Sequence, residues 1–240
     1  MGYTKSAARK DFEAHLAIYE EQVRYVSLKV NLIRDDICQC VYKNAIFQTS
    51  AAFEEYIKSI LEDWIDMLLR RDATLDKLPK ELLLFATGRL QKNAFSGLLL
   101  NGDEKQFINK ISGIRNLKYF FTETSQIKGL VKSHEFVRDR KYPSEKNIKA
   151  LFYRFGLDNI FDEINHRGKR DFKKVLESFS DSRTAIAHDH VTISLNLQEV
   201  KLKLQAVRDI IVVLDKVLYK HVCSISGPEF WKKDTLLLPV

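Results

Sequence analysis

ICQCVYKNAIFQTSAAFEEYIKSILEDWIDMLLRR, residues 37–71, is the stretch on which the fold turns. Val41, Ala45, Ala52, Tyr56, Ile60, Trp64, Met67 and Leu68 recur at three- and four-residue spacing, and neither Gly nor Pro interrupts them. That periodicity places the apolar side chains on one face of a helix some nine turns long. A helix of that length forms the spine of a bundle or a subunit interface. Glu54 and Glu55 fall in its middle among apolar neighbours. Glu54 reads either as a charge at the edge of the apolar face or as the ion-pair partner of a buried cation.

The rest of the chain repeats this grammar. Before the spine, Phe12, Leu16, Tyr19, Val23, Val26 and Val30 trace a second amphipathic helix from Arg9, behind a loose polar leader over residues 1–8. After it, Pro79 fits the first turn of a helix reaching about Leu100. Asn101-Gly102 breaks that helix, and Asp103 can cap another that spans Glu104 to Phe121. Residues 122–142 read as a polar, basic connector carrying Lys128, Lys132, Arg138, Arg140 and Lys141, either solvated or touching a polyanion. From Pro143 a short helix capped by Ser144 shows Ile148, Leu151, Phe152 and Phe155 on one side and ends at Gly156. A second short piece, LDNIFDEIN, leads to the basic turn HRGKRD, residues 166–171. Phe172, Val175, Leu176 and Phe179 then mark a helix, and Asn196 with Glu199 forms a capping box for the last one. That last helix turns Val200, Leu204, Val207, Ile211, Leu214, Val217 and Leu218 inward. Beyond Cys223 the pattern stops, and Phe230, Trp231 and Leu236 to Leu238 must pack on this domain or on a partner.

The totals agree with an all-α fold of long antiparallel helices. Only 9 Gly and 4 Pro occur in 240 residues, too few for a turn-rich β fold. With 45% hydrophobic and 30% charged residues the chain is globular. A single domain is expected, with a core at about 9–75 and 140–222, a helical insertion at about 76–140 and a tail at 223–240. Three cysteines without a C-x-x-C pair indicate neither zinc nor a disulfide framework, so a reducing cytoplasm is the default. No apolar run approaches the roughly 20 residues that span a bilayer, so no membrane partner is expected. A net charge of +7 points to an anionic partner, RNA first, although solvated surface charge explains it equally. No phosphate-binding glycine loop, H-E-x-x-H or G-x-S-x-G appears, and no metal or cofactor is implied.

Chemistry concentrates in SRTAIAHDH, residues 182–190. Arginine offers a permanently charged planar fork suited to phosphate oxygens, and histidine exchanges protons near neutral pH. Arg183 and His188 are therefore sufficient for RNA cleavage without a metal: the imidazole takes the 2'-hydroxyl proton and the guanidinium neutralises the phosphorane. With 14 Arg and six His, about one such pair arises by chance, and Arg9 with His15 is a decoy of similar spacing. Five residues advance about 140° around a helix, so Arg183 and His188 need not share a face within one regular helix. Either the helix ends near Ala187 and the histidine turns back, or a second subunit completes the site. In the basic turn, Arg167, Lys169 and Arg170 beside His166 could hold phosphate, or be an ordinary exposed turn.

SRTAIAHDH resembles the Arg-Asn-x-x-Ala-His-like signature of the HEPN superfamily, and two more stretches resemble its RiboL-PSP-type members. These are NAIFQTSAAFEEYIKSIL, residues 44–61, with an Ala-x-x-Glu-x-x-Ile/Leu pattern, and YPSEKNIKALFYRFGL, residues 142–157. The resemblance covers roughly residues 40–75 and 140–222. It departs at Thr184, where the family usually carries Asn, Asp or another strongly polar residue. It implies a HEPN-like helical bundle and a metal-independent endoribonuclease with Arg183 and His188 as catalytic residues. Thr184, Glu54 and His190 would support them. It further implies a homodimer with the site on the two-fold axis, and a phage-defence or toxin-like role with an antitoxin or defence-system partner. The other reading is a non-catalytic HEPN-like module that binds RNA or protein, with His188 capping a helix end and Arg183 paired to Glu54 or Asp181.

Overall fold

The computed structural model describes residues 2–28, 32–112, 125–128, 132–138, 143–188 and 193–234. Nine α-helices lie among these: α1 (Ala7–Leu28), α2 (Asp35–Arg70), α3 (Lys80–Asn101), α4 (Glu104–Ser112), α5 (His134–Val137), α6 (Glu145–Arg154), α7 (Ile160–Gly168), α8 (Phe172–His188) and α9 (Leu197–Ile225). No strand occurs among the described residues, only an isolated bridge between Thr74 and Gln126. The fold is all-α.

The boundaries follow local chemistry. Asp35 and Asp36 occupy the first turn of α2 and Arg70 its last, matching the helix dipole at both ends. Asn147 N donates to Ser144 Oγ (3.3 Å) at the start of α6. Asn196 and Glu199 exchange side-chain-to-backbone bonds of 2.9 and 3.0 Å at the start of α9, a complete capping box. Gly156 ends α6 with φ of +79°, and a Cβ there would meet Pro79 Cβ at 3.1 Å, so the turn both needs and is pressed against a glycine.

Contacts fix the helix directions. Phe12 meets Tyr56 (ring centroids 6.3 Å apart), so α1 and α2 form an antiparallel hairpin. Tyr3 bonds Asp215 while Glu20 bonds Arg208, so α9 runs against α1 and alongside α2. Helix α8 opposes α9, with Arg170 Nη1 2.9 Å from Asp209 and Lys203 Nζ donating to the Ser178 carbonyl at 2.9 Å. Leu16, Phe53, Tyr56, Leu61, Ile65, Phe152, Phe155, Phe179, Leu204 and Leu218 are buried where these helices meet. Each such side chain contributes about 1.5–3 kcal/mol when withdrawn from water.

Two sequence expectations need correction, and one open alternative is resolved. The leader is not loose: helix α1 starts at Ala7, and the residues before it bind a buried carboxylate. Asp215, with no exposed surface, accepts from Tyr3 Oη (2.6 Å), from Ser6 Oγ and N, and from Tyr56 Oη (3.3 Å). Arg9 Nη1 in turn donates to Tyr3 Oη (2.7 Å). Burial pushes the Asp215 pKa up, and the bonds from Ser6 and Tyr3 pull it back. The connector is not simply solvated either, because Ile127, Phe136 and Val137 are buried and α5 packs on α2; Arg140 and Lys141 lie outside the described residues. The tail packs on its own domain, where Phe230 and Trp231 are buried and Trp231 Nε1 donates to the Thr4 carbonyl at 3.0 Å. Leu236 to Leu238 lie outside the described residues.

Removing the carboxylate in Asp215→Ala strands buried donors, and about 3 kcal/mol of destabilisation is expected. In a protein of this size that lowers the melting temperature by about 6–12 °C. A melt unchanged within about 2 °C would show that the network is dispensable. His221 generates a second expectation. Its Nε2 lies 2.7 Å from the Phe155 carbonyl, and burial lowers its pKa despite that carbonyl and the nearby Glu81 and Glu163. The unfolded chain therefore takes up this proton more readily than the folded one, and stability falls as pH drops below about 6.5. His221→Gln keeps a donor for the carbonyl without titrating. Its melting temperature should decline less than that of the wild type between pH 7.5 and 5.5, and parallel declines would contradict the assignment.

Candidate active site on the last turns of helix 8

Phe172, Leu176, Phe179 and Ile186 are the buried residues of α8. Arg183 continues their spacing, so it stands on the inward stripe of the helix and is only half-exposed. Its guanidinium carbon lies 5.7 Å from the centroid of the Phe47 ring on α2, within cation–π range. The helix continues through His188, which is its last residue and exposed. The histidine therefore does not turn back before Ala187. By helical geometry it points about 140° away from Arg183. Thr184 is exposed one turn before His188 and shares its face. His190 and Asp189 lie outside the described residues.

Since α8 opposes α9, and α9 runs alongside α2, α8 also opposes α2. The contact between Phe47 and Arg183 then sets His188 beside the first third of α2. Gln39 on that segment is tied to the chain after α8, donating to the Leu195 carbonyl (3.0 Å) and accepting from Leu195 N (2.8 Å). Glu54 stands seven residues beyond Phe47, about 10 Å further along α2. It is half-buried and paired with Lys58 one turn on. Sequence reasoning overlooked Lys43, which is 5% exposed and one turn from Phe47 on the same side of α2. Its only signal is being the sole charge between Ile37 and Phe53.

The other named cations stand apart. Arg167 is exposed in the last turn of α7 and Lys169 and Arg170 are exposed between α7 and α8, with Lys169 in a left-handed conformation (φ +51°) and Arg170 paired to Asp209. Sixteen residues of helix separate Phe172 from His188, about 24 Å. The Arg9 and His15 decoy is dissolved: Arg9 is buried, with Nε donating to Glu13 Oε1 at 2.8 Å, and His15 is exposed on α1. Among the described residues no three His, Cys, Asp or Glu side chains converge as a metal set requires.

Residues 14–220 match the model of the RiboL-PSP-HEPN family. The chain belongs to that family. No curated protein and no solved structure matches it. In this RiboL-PSP-HEPN protein Arg183 and His188 fall on one regular helix, one facing the α2 seam and one facing solvent. Among the described residues no helix is long and apolar enough to cross a membrane.

The ring contact should be measurable. A double-mutant cycle of Phe47→Leu with Arg183→Met should return a coupling of about 0.5–1 kcal/mol in unfolding free energy. Phe47→Trp should retain it. Strict additivity of the two single changes would show that the ring does not hold the guanidinium.

Proposed function

We propose that this RiboL-PSP-HEPN protein is a metal-independent endoribonuclease. The observation that carries the reading is the placement of its two signature residues: an arginine steadied on an aromatic ring and an exposed histidine one and a half turns later. In this reaction His188 removes the proton from a ribose 2'-hydroxyl, and the oxygen attacks the adjacent phosphorus. Arg183 neutralises charge on the phosphorane, and the 5'-oxygen leaves after taking up a proton. The products are a 2',3'-cyclic phosphate, open to hydrolysis to a 3'-phosphate, and a 5'-hydroxyl. Thr184, on the histidine's face, contributes a hydroxyl beside the substrate. Glu54 acts at a distance through the α2–α8 seam, and His190 is a further supporting candidate. Arg167, Lys169 and Arg170 would contact the backbone of a strand laid along α8.

The 140° separation argues for two copies per site. A two-fold contact sets a patch against its own copy, so the arginine of one protomer can work with the histidine of the other. A toxin-like or defence role with a neutralising partner is part of this proposal and rests on the family alone. The second reading, a non-catalytic RNA- or protein-binding module, is favoured by one observation: within a single chain Arg183 and His188 face different ways.

Purified protein should cleave total RNA in excess EDTA. His188→Ala should lower the rate by at least about 100-fold, and Arg183→Ala by about 100- to 1,000-fold. Equal cleavage by wild type and His188→Ala would refute the assignment. A folded dimer that binds RNA without cleaving it would favour the module.

A further inference from the structure

Away from the signature, α6, α7 and the start of α8 enclose a cleft of roughly 760 Å³. Lys146, Lys149 and Lys173 line it together with Asp158, Asp162 and Asp171, so its charges balance and it exerts no net pull on a phosphate. The rest of the lining suits a flat polar group instead. Tyr153 stands in the cleft 54% exposed, an aromatic face open to stacking. Asn159 occupies the cap position of α7, yet its side chain makes no cap bond. Asn165 Oδ1 accepts from Phe172 N at 2.8 Å, which leaves its N–H donors for the cleft. Glu145 holds Lys149 at 2.6 Å and Lys173 at 3.1 Å, so two of the lysines are already set in place. Asp171 accepts from Lys174 N (3.2 Å), whereas Asp158 and Asp162 are exposed carboxylates with acceptor capacity to spare.

We propose that this cleft binds the base of an unpaired guanosine in RNA and so selects which strands reach His188, an inference that rests on the RNA cleavage proposed above. Three observations select that ligand. A carboxylate accepts best from two donors side by side, and of the four bases only guanine presents an adjacent pair, N1–H and N2–H, on its Watson–Crick edge. Its O6 then takes a hydrogen bond from an amide or ammonium of the lining, and its ring stacks on Tyr153. The basic turn joins Asn165 to Asp171, two lining residues, so Arg167 and Lys169 border the cleft and meet the phosphates on either side of the base. Finally, the cleft opens on the histidine's side of α8. Lys173 precedes His188 by 15 residues, about 22 Å along the helix and about 60° around it, with Thr184 between them on the same face. A stacked strand covers that length in about seven nucleotides at ~3.4 Å each, and an extended one in fewer.

The test is fluorescence anisotropy on the full chain carrying His188→Ala, so that binding is read while no strand is cut. The probes are a fluorescein-labelled oligouridylate with one central guanosine and the all-uridine strand of equal length. The guanosine strand should bind at least about 10-fold more tightly. Adding Asp158→Asn and Asp162→Asn together should bring the two affinities level. Tyr153→Ala should weaken binding of the guanosine strand about 10-fold, and Tyr153→Trp should retain it. These positions are exposed, so helical circular dichroism should not change. Equal affinity for the two strands, or a guanosine preference that survives the paired Asp changes, would overturn the proposal. So would binding of free GMP as tight as that of the guanosine strand, which would make the ligand a free nucleotide. The two readings fail separately: a guanosine preference in a wild type that cleaves no RNA counts against the nuclease and leaves the cleft standing, whereas cleavage in EDTA without that preference does the reverse.

Discussion

Asp215 is the point to which the bundle is tied. A carboxylate without solvent contact is costly unless its oxygens are bonded, and here they accept from three residues on either side of α9. Tyr56 brings the middle of α2 to it, and Tyr3 and Ser6 bring the segment ahead of α1. Because apolar packing is nearly indifferent to sliding along a helix axis, a directional polar cluster of this kind selects one register among several of similar burial. The same register fixes which residues of α2 face α8, and so decides that Phe47 rather than a neighbour lies under Arg183.

That register gives the two halves of α2 different work. The second half, from Phe53 to Leu68, is buried on its inward face and carries Glu54, Glu55, Lys58, Glu62 and Asp63 elsewhere, as a solvated helix should. Past Asp35 and Asp36 in its first turn, the first half carries only the buried Lys43, although Asn44 and Gln48 are exposed like Glu55. Fold stability alone does not ask for an uncharged outer face, since exposed Lys and Glu are better helix surface than Cys, Val or Asn.

The helices were legible because they rest on local rules. The uninterrupted stripe of α2, the Ser144 cap, the Asn196–Glu199 capping box and the Gly102 and Gly156 stops are each set within a few residues. What depends on contacts distant in sequence was not legible. Nothing near Tyr3 or Ser6 announces a carboxylate more than 200 residues away, so the leader read as loose. Ile127 and Phe136 sit among Lys, Ser and Thr, so their burial was hidden by polar neighbours. Of the candidate site, the arithmetic of 3.6 residues per turn foresaw that Arg183 and His188 diverge. It could not say whether the helix persists to the histidine. It also gave no hint of Phe47, which meets α8 only through the tertiary register.

Arg183 occupies a position that the stripe of α8 would fill with an apolar residue. Such a residue would pack more favourably there, since a guanidinium at a helix seam carries a desolvation cost that cation–π contact offsets only in part. Under the proposed activity, preorganisation would account for an arginine at this position. A charge held on a ring between two long helices needs little rearrangement to meet a phosphate, and little entropy is lost when it does. Under the proposed activity His188 would have the opposite requirement. A group that shuttles protons must exchange them with substrate and solvent, and the end of a helix, with Thr184 one turn below on the same face, gives it that freedom. One regular helix could not satisfy both demands in one direction, and under the proposed activity that would be the reason for an arginine at the seam and a histidine at the open end.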